Sequence, residues 1–121
     1  MFEMHFRNKQ VTVGNELSGK LVWYSPDRHL PRQASAFVYW YTEGRGDRDE
    51  QTIFTIPLQP EQLIRDQRVD FPFAVTIPHS GPITYNGSLI RVIWAVQAWV
   101  KLPRSSKRDN TQTWPFLVMP R

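Results

Sequence analysis

The chain has 121 residues, 40% hydrophobic and 21% charged, with no cysteine and a formal net charge of +4. That length suits one domain, residues 1–121, able to bury a core of its own. The absent cysteines exclude a disulfide framework, a thiolate zinc site and a cysteine nucleophile. No apolar run reaches the roughly 18 residues of a membrane span. The start of the chain holds Glu3 and His5 where a signal peptide would be apolar. The expectation is a cytoplasmic protein with no membrane span.

Aromatic residues make up 13% of the chain, five of them Trp, and there are ten Pro. Aromatics suit pleated, half-buried strands, and proline at this density disfavours long helices. Phe2, Met4 and Phe6 alternate with Glu3, His5 and Arg7, which predicts a strand over Phe2–Arg7 with one buried face. Val11–Val13 is a short apolar continuation, and Gly14-Asn15 marks a turn. Gly19–Tyr24 is the next strand, closed by Ser25-Pro26-Asp27. Ala34–Thr42 is apolar on both faces, which predicts a central strand or one covered on both sides. Thr52–Pro57 follows a polar loop at Glu43–Glu50. Within Gln59–Gln67, Pro60 would start one helical turn with Leu63 and Ile64 inward. Val69, Phe71, Phe73, Val75 and Ile77 alternate, and Pro72 among them predicts an edge strand or a bulge. After a turn-rich connection at Pro78–Gly87 comes the strongest pattern, Ser88–Leu102. There Ile90, Val92, Trp94, Val96, Ala98 and Val100 form one face and a mixed set forms the other. Thr111–Met119 closes the chain. About seven such strands predict an all-β, antiparallel, immunoglobulin-like sandwich of two sheets.

Two stretches resemble a known family. Val13-Gly14-Asn15-Glu16-Leu17-Ser18-Gly19-Lys20-Leu21 is similar to a hairpin entry of arrestin-like domains. The second runs from Phe71-Pro72-Phe73 through Ile77-Pro78 and Gly81-Pro82-Ile83-Thr84-Tyr85-Asn86-Gly87 to the Ile90–Val100 strand. It resembles another arrestin segment, in the same order and separation. The resemblance implies an arrestin N-terminal-type sandwich, of a small single-domain bacterial kind. In that frame Gly14 and Gly19 relieve crowded backbone, Pro82 stiffens the connection, and Gly87 turns the chain into the long strand. Tyr85 would plug the sandwich end with its hydroxyl on a backbone group. The resemblance implies a fold more than a function. Arrestins carry two sandwiches, and their charged polar core and phosphate-sensing lysines find no match here, so binding of phosphoreceptors does not carry over. Small bacterial sporulation-control proteins and an arrestin-like retromer subunit share the fold with different partners.

No catalytic set converges in the sequence. His5, His29 and His79 sit in separate segments with no pair at metal-ligand spacing. Asp47, Asp49 and Glu50 resemble calcium ligands in their spacing, but Arg45 and Arg48 interleave them, and a solvated loop is the simpler account. Arg45-Gly46-Asp47 matches an integrin-binding string, read as coincidence in a chain without a secretion signal. The nucleophile elbow, the phosphate loop and the dinucleotide fingerprint are missing. A non-enzymatic protein without cofactor or metal is expected.

The densest cationic segment is Lys101-Leu102-Pro103-Arg104-Ser105-Ser106-Lys107-Arg108. Its forked and point charges and its serines suit phosphate or an acidic peptide. Arg28 and Arg32 would add to the patch if the two loops share one end of the sandwich. Trp23, Trp40 and Trp94 fall in strand patterns as core. Trp99 on the mixed face and Trp114 beside Pro115 are the two candidates for exposure, with plain packing the simpler account of both, and exposed indoles anchor proteins or stack on bases and sugars. The first reading is a protein-interaction adaptor or scaffold. A protein partner would meet an edge strand or sheet face and the basic loops, with Arg28, Arg32, Trp99, Lys101, Arg104, Lys107 and Arg108 at the contact. Homo-oligomerisation through edge strands is one form of it. The alternative is a nucleic-acid-binding module using the basic loops and Trp99. A further alternative is a carbohydrate-binding sandwich, which needs Trp99 and Trp114 coplanar on one surface.

Overall fold

The computed structural model describes residues 2–24, 33–46, 48–58, 68–101 and 109–121. Their strands are β1 (Phe2–Phe6), β2 (Gln10–Thr12), β3 (Glu16–Tyr24), β4 (Gln33–Gly44), β5 (Glu50–Ile56), β6 (Arg68–Thr76), β7 (Tyr85–Asn86), β8 (Ile90–Lys101) and β9 (Asp109–Met119). A small sheet has the order β1-β3-β6, and a large sheet the order β2-β9-β8-β4-β5, with β7 on β8. The all-β two-sheet sandwich follows from the alternation. Two short strands, β2 and β7, raise the number from about seven to nine. The ladder between β2 and β9 is parallel, with Val11 beside Val118, unlike the antiparallel pairs elsewhere. The segment Gln59–Gln67, read as a helical turn, lies outside the described residues.

Each sheet contributes its even-spaced apolar side chains to one core. In the small sheet Phe2 stands beside Trp23 and Met4 beside Leu21, while Leu21 and Leu17 stand beside Phe71 and Val75. The large sheet answers with Val38, Trp94, Val96, Val100, Phe116 and Val118, all buried. Each such side chain contributes about 1.5–3 kcal/mol by leaving water. Pro72 sits on β6, which ends its sheet among the described residues, the place where a strand tolerates a missing N–H. Between Phe6 and Phe73 the strand has only Gly19, because a side chain there would press on the His5 carbonyl and the Phe73 ring.

The end closure differs from the expectation for Tyr85. That ring is 53% exposed. The indole of Trp94 does the closing instead, donating from Nε1 to the Pro82 carbonyl at 2.9 Å. Thr84 fixes the same connection to β9: its N–H donates to the Val118 carbonyl, and its Oγ1 accepts from the Val118 N–H at 2.7 Å. Trp94 can reach because its ring starts from the core and points along the sandwich, whereas Tyr85 starts at the rim. At the β2–β3 turn Gly14 has φ 86°, and its N–H donates to Ile77 at 2.8 Å. A Cβ there would overlap the His79 ring.

Candidate functional site

Strand alternation sorts β4, β8 and β9 into two faces. Val38, Val96, Ala98 and Phe116 point into the core, so Phe37, Tyr39, Tyr41, Ile93, Ala95, Gln97, Trp99, Pro115 and Leu117 point the other way. Among the described residues no second layer lies over this outer face. Across it run two apolar rows: Tyr39 beside Ala95 beside Pro115, and Tyr41 beside Ile93. One step beyond the Trp94–Phe116 pair, Leu117 continues the second row and is 47% exposed.

The aromatics of β4 are set like slats. Tyr39 and Tyr41 stack, centroids 5.4 Å apart and planes 20° from parallel. Phe37 meets Tyr39 edge-on at 5.1 Å. The Arg48 guanidinium lies 4.3 Å from the centroid of Tyr41. The ring faces are therefore occupied by one another and by a cation, and Phe37 and Tyr41 are half-buried on either side of Tyr39. Tyr39 is only 3% exposed despite facing outward. Its ring crosses fully buried Ala95, and its hydroxyl reaches Thr113 on β9 and accepts from Gln97 Nε2 at 3.5 Å. The same amide donates to Thr113 Oγ1 at 3.1 Å. Burial raises the Tyr39 phenol above its ordinary pKa, and the neighbouring Tyr41 adds to the effect.

Around this apolar centre lies a polar rim. Arg48 pairs with Glu50 at 3.1 Å, and Arg91 pairs with Glu43 at 3.5 Å. Thr52, Gln97 and Thr113 fill the spaces between. Of the acidic cluster weighed against a solvated loop, Asp47 lies outside the described residues. Thr42 holds Asp49, donating its N–H to the Asp49 carbonyl at 2.9 Å, and accepting from the Asp49 N–H at its Oγ1. Among the described residues no three His, Asp or Glu gather as a metal site.

Of the seven predicted contact residues, Trp99 and Lys101 are described. Trp99 is half-buried on the outer face, with Lys101 Nζ 5.7 Å from its ring centroid. Arg28, Arg32, Arg104, Lys107 and Arg108 lie outside the described residues. The strands that lead to them do converge: Gln33 pairs with Lys101, Val100 pairs with Asp109, and Phe2, beside Trp23, donates to Gln112 at 2.7 Å. Trp114 takes the simpler of its two readings, packing. It pairs with Val96 and packs against the core, so Trp99 and Trp114 occupy opposite faces of one sheet. The coplanar pair required by the carbohydrate reading is absent. The sequence reading missed Phe37, Tyr39, Tyr41 and Leu117 as a surface. The two-faced apolarity of Ala34–Thr42 was read as a central strand or one covered on both sides; β4 is central, between β8 and β5, and its outward rings form this surface.

Among solved structures, the sporulation control protein Spo0M of Bacillus subtilis superposes with a TM-score of 0.69 at 18% identity, over 99% of this chain and 49% of that one. Squid arrestin superposes with a TM-score of 0.62 at 12% identity, over 98% of this chain and 49% of the arrestin. The chain thus spans about half the length of each. No protein-family model and no curated protein sequence matches it. At these identities the likeness concerns the fold: the chain is a small all-β sandwich resembling Spo0M and arrestin-like folds.

Proposed function

We propose that the chain is a non-enzymatic protein-interaction module, an adaptor or scaffold, whose partner seats on the outer face of the large sheet. One observation carries this: the face has the anatomy of an interface, an aromatic and aliphatic centre ringed by paired charges and small polar groups. Stable interfaces concentrate their binding energy in such centres, and the rim excludes water. The stacked rings are already ordered, so binding loses little side-chain entropy. The occupied ring faces speak against stacking by sugars or bases. Arg28, Arg32, Arg104, Lys107 and Arg108 would steer an acidic portion of the partner, their charge adding on-rate more than affinity.

The test is affinity capture from source-cell lysate at two salt concentrations, with and without nuclease. Leu117→Glu should lose the captured protein. Arg104, Lys107 and Arg108 changed together to Glu should slow association and flatten its salt dependence. An identical protein set from wild type and Leu117→Glu would remove the face from the reading. Recovery that disappears with nuclease and high salt would put nucleic acid in its place.

A further inference from the structure

We infer that the partner on the outer face is a second copy of this chain, packed large sheet against large sheet about a two-fold axis; this rests on the reading of that face as an interface. A two-fold contact needs one patch that complements itself. The outer face has two unlike halves side by side. The ridge is the aromatic row Phe37, Tyr39 and Tyr41 on β4, ordered by its own stacking, with half-buried Phe37 and Tyr41 flanking a buried Tyr39 that lies across Ala95. The shelf is Ile93, Pro115 and Leu117 on β8 and β9. Under a two-fold, the ridge of each copy lies on the shelf of the other.

Charge favours the same occupant. Two charge pairs of the rim, Arg48 with Glu50 and Arg91 with Glu43, close within one copy, and Lys101 over Trp99 adds one positive charge at the end of the face. A strongly charged partner has to break those pairs, whereas a second copy need not. Size also agrees. Four strands at about 4.8 Å and a β4–β8 ladder of 12 residue pairs at about 3.3 Å each span roughly 700 Å². A standard interface covers about 800 Å² per partner. The sheet edge is a poorer route to a dimer. Among the described residues β5 ends the large sheet, but the register shift opposite Val38 and Tyr39 puts a bulge in it, a device that blunts edge pairing.

The test is the molar mass of the full chain by light scattering and sedimentation across a wide concentration range. The mass should rise twofold with concentration. Leu117→Glu should hold it at the monomer value. Ala74→Glu, an exposed position on the small sheet, should leave the twofold rise unchanged. Because the chain has no cysteine, Asn86→Cys, exposed at the margin of the large sheet, gives one thiol for a spin label. The dimer should then show a shorter label-to-label distance than the same label at Ala74→Cys. Wild type that stays monomeric at every concentration overturns the second copy. A twofold rise that survives Leu117→Glu, or a shorter distance from the small sheet, overturns it as well. The two proposals fail separately: a monomer whose lysate partner is lost with Leu117→Glu keeps the face and loses only the second copy, while a monomer whose capture ignores Leu117→Glu loses both.

Discussion

Trp94 and Trp99 share strand β8 and stand on opposite faces of one sheet. Trp94 is fully buried, surrounded by aliphatic groups and Phe116, with its N–H spent on Pro82. Trp99 is half-buried beside Lys101, on the face that also carries the tyrosine slats. The inner face gains its energy from removing apolar area from water and so depends on volume. Rings on the outer face are held by neighbouring rings, cations and hydroxyl bonds, and so depend on geometry. A sheet with two apolar faces therefore need not be covered by protein twice. The same strand can build a core on one side and an ordered, solvent-facing surface on the other.

Adjacent residues of β9 test this most sharply. Val118 is fully buried and Leu117 is exposed. Val118→Glu places a carboxyl in the core and should cost more than about 4 kcal/mol, enough to prevent folding or to force the group to stay protonated. Leu117→Glu should change stability by less than about 0.5 kcal/mol, while abolishing association through the face. Urea unfolding of both variants decides it; similar losses would mean that the two faces are not distinct. Trp94 and Trp99 give the next contrast. Trp94→Ala should lose about 3–5 kcal/mol, and Trp99→Ala about 1 kcal/mol, the scale of a partly exposed cation–aromatic contact. Trp94→Phe is informative by itself: it keeps most of the volume but leaves the Pro82 carbonyl without its donor, for about 1–3 kcal/mol.

Much of the inner face was legible in the sequence. Period-two runs at Phe2–Phe6 and Phe71–Ile77 name the core directly, as does Ile90–Val100 from Trp94 onward, Ile90 itself being 44% exposed; Pro72 marks its strand as an edge. What was not legible has physical causes. β2 is three residues long and pairs in parallel with a strand at the far end of the chain, so neither a turn nor a long alternation announces it. β7 has two residues. Trp114 was left between edge exposure and packing because of Pro115; β2 reaches β9 only from Leu117 onward, and Pro115 sits before that pairing, with its neighbour turned inward. The outer face was hidden for a deeper reason. Side-chain hydrophobicity along Ala34–Thr42 does not distinguish cover by another layer from cover by neighbouring rings on the same strand. That distinction needs the cross-strand register, which puts small Ala95 beneath Tyr39 and the Thr113 hydroxyl within its reach.

Tyr39 gives a smaller, pH-dependent test. Burial, then the neighbouring Tyr41, raise its pKa above 10.0; the Thr113 hydrogen bond lowers it, Glu50 raises it and Arg48 lowers it. Below pH 10 the folded and unfolded chains both keep the phenol proton, and the full contribution is present. Above it the unfolded chain releases its proton first, so stability falls as pH climbs toward the folded value. Tyr39→Phe should cost about 1 kcal/mol at neutral pH through its lost hydrogen bonds. It should also lessen the alkaline loss relative to wild type. Equal alkaline slopes in urea titrations would show that the ring is not held as a slat.

The smallest expected change in stability is at Arg48, and it bears most directly on the nature of the face. Its guanidinium covers Tyr41 and pairs with Glu50, both in an exposed setting. Arg48→Ala should cost less than about 1 kcal/mol. Its larger effect is on recognition, since it uncovers a tyrosine face and leaves Glu50 unpaired on the rim. Association with protein should weaken, because a rim that was neutral becomes acidic. Binding of a soluble oligosaccharide, followed by tyrosine fluorescence and titration calorimetry, should be absent in the wild type and could only begin once the ring is open. Arg48→Lys separates charge from shape: it restores the neutral rim but not the flat cover. If Arg48→Lys associates like wild type, neutrality of the rim governs the face; if it behaves like Arg48→Ala, the planar cap on Tyr41 does.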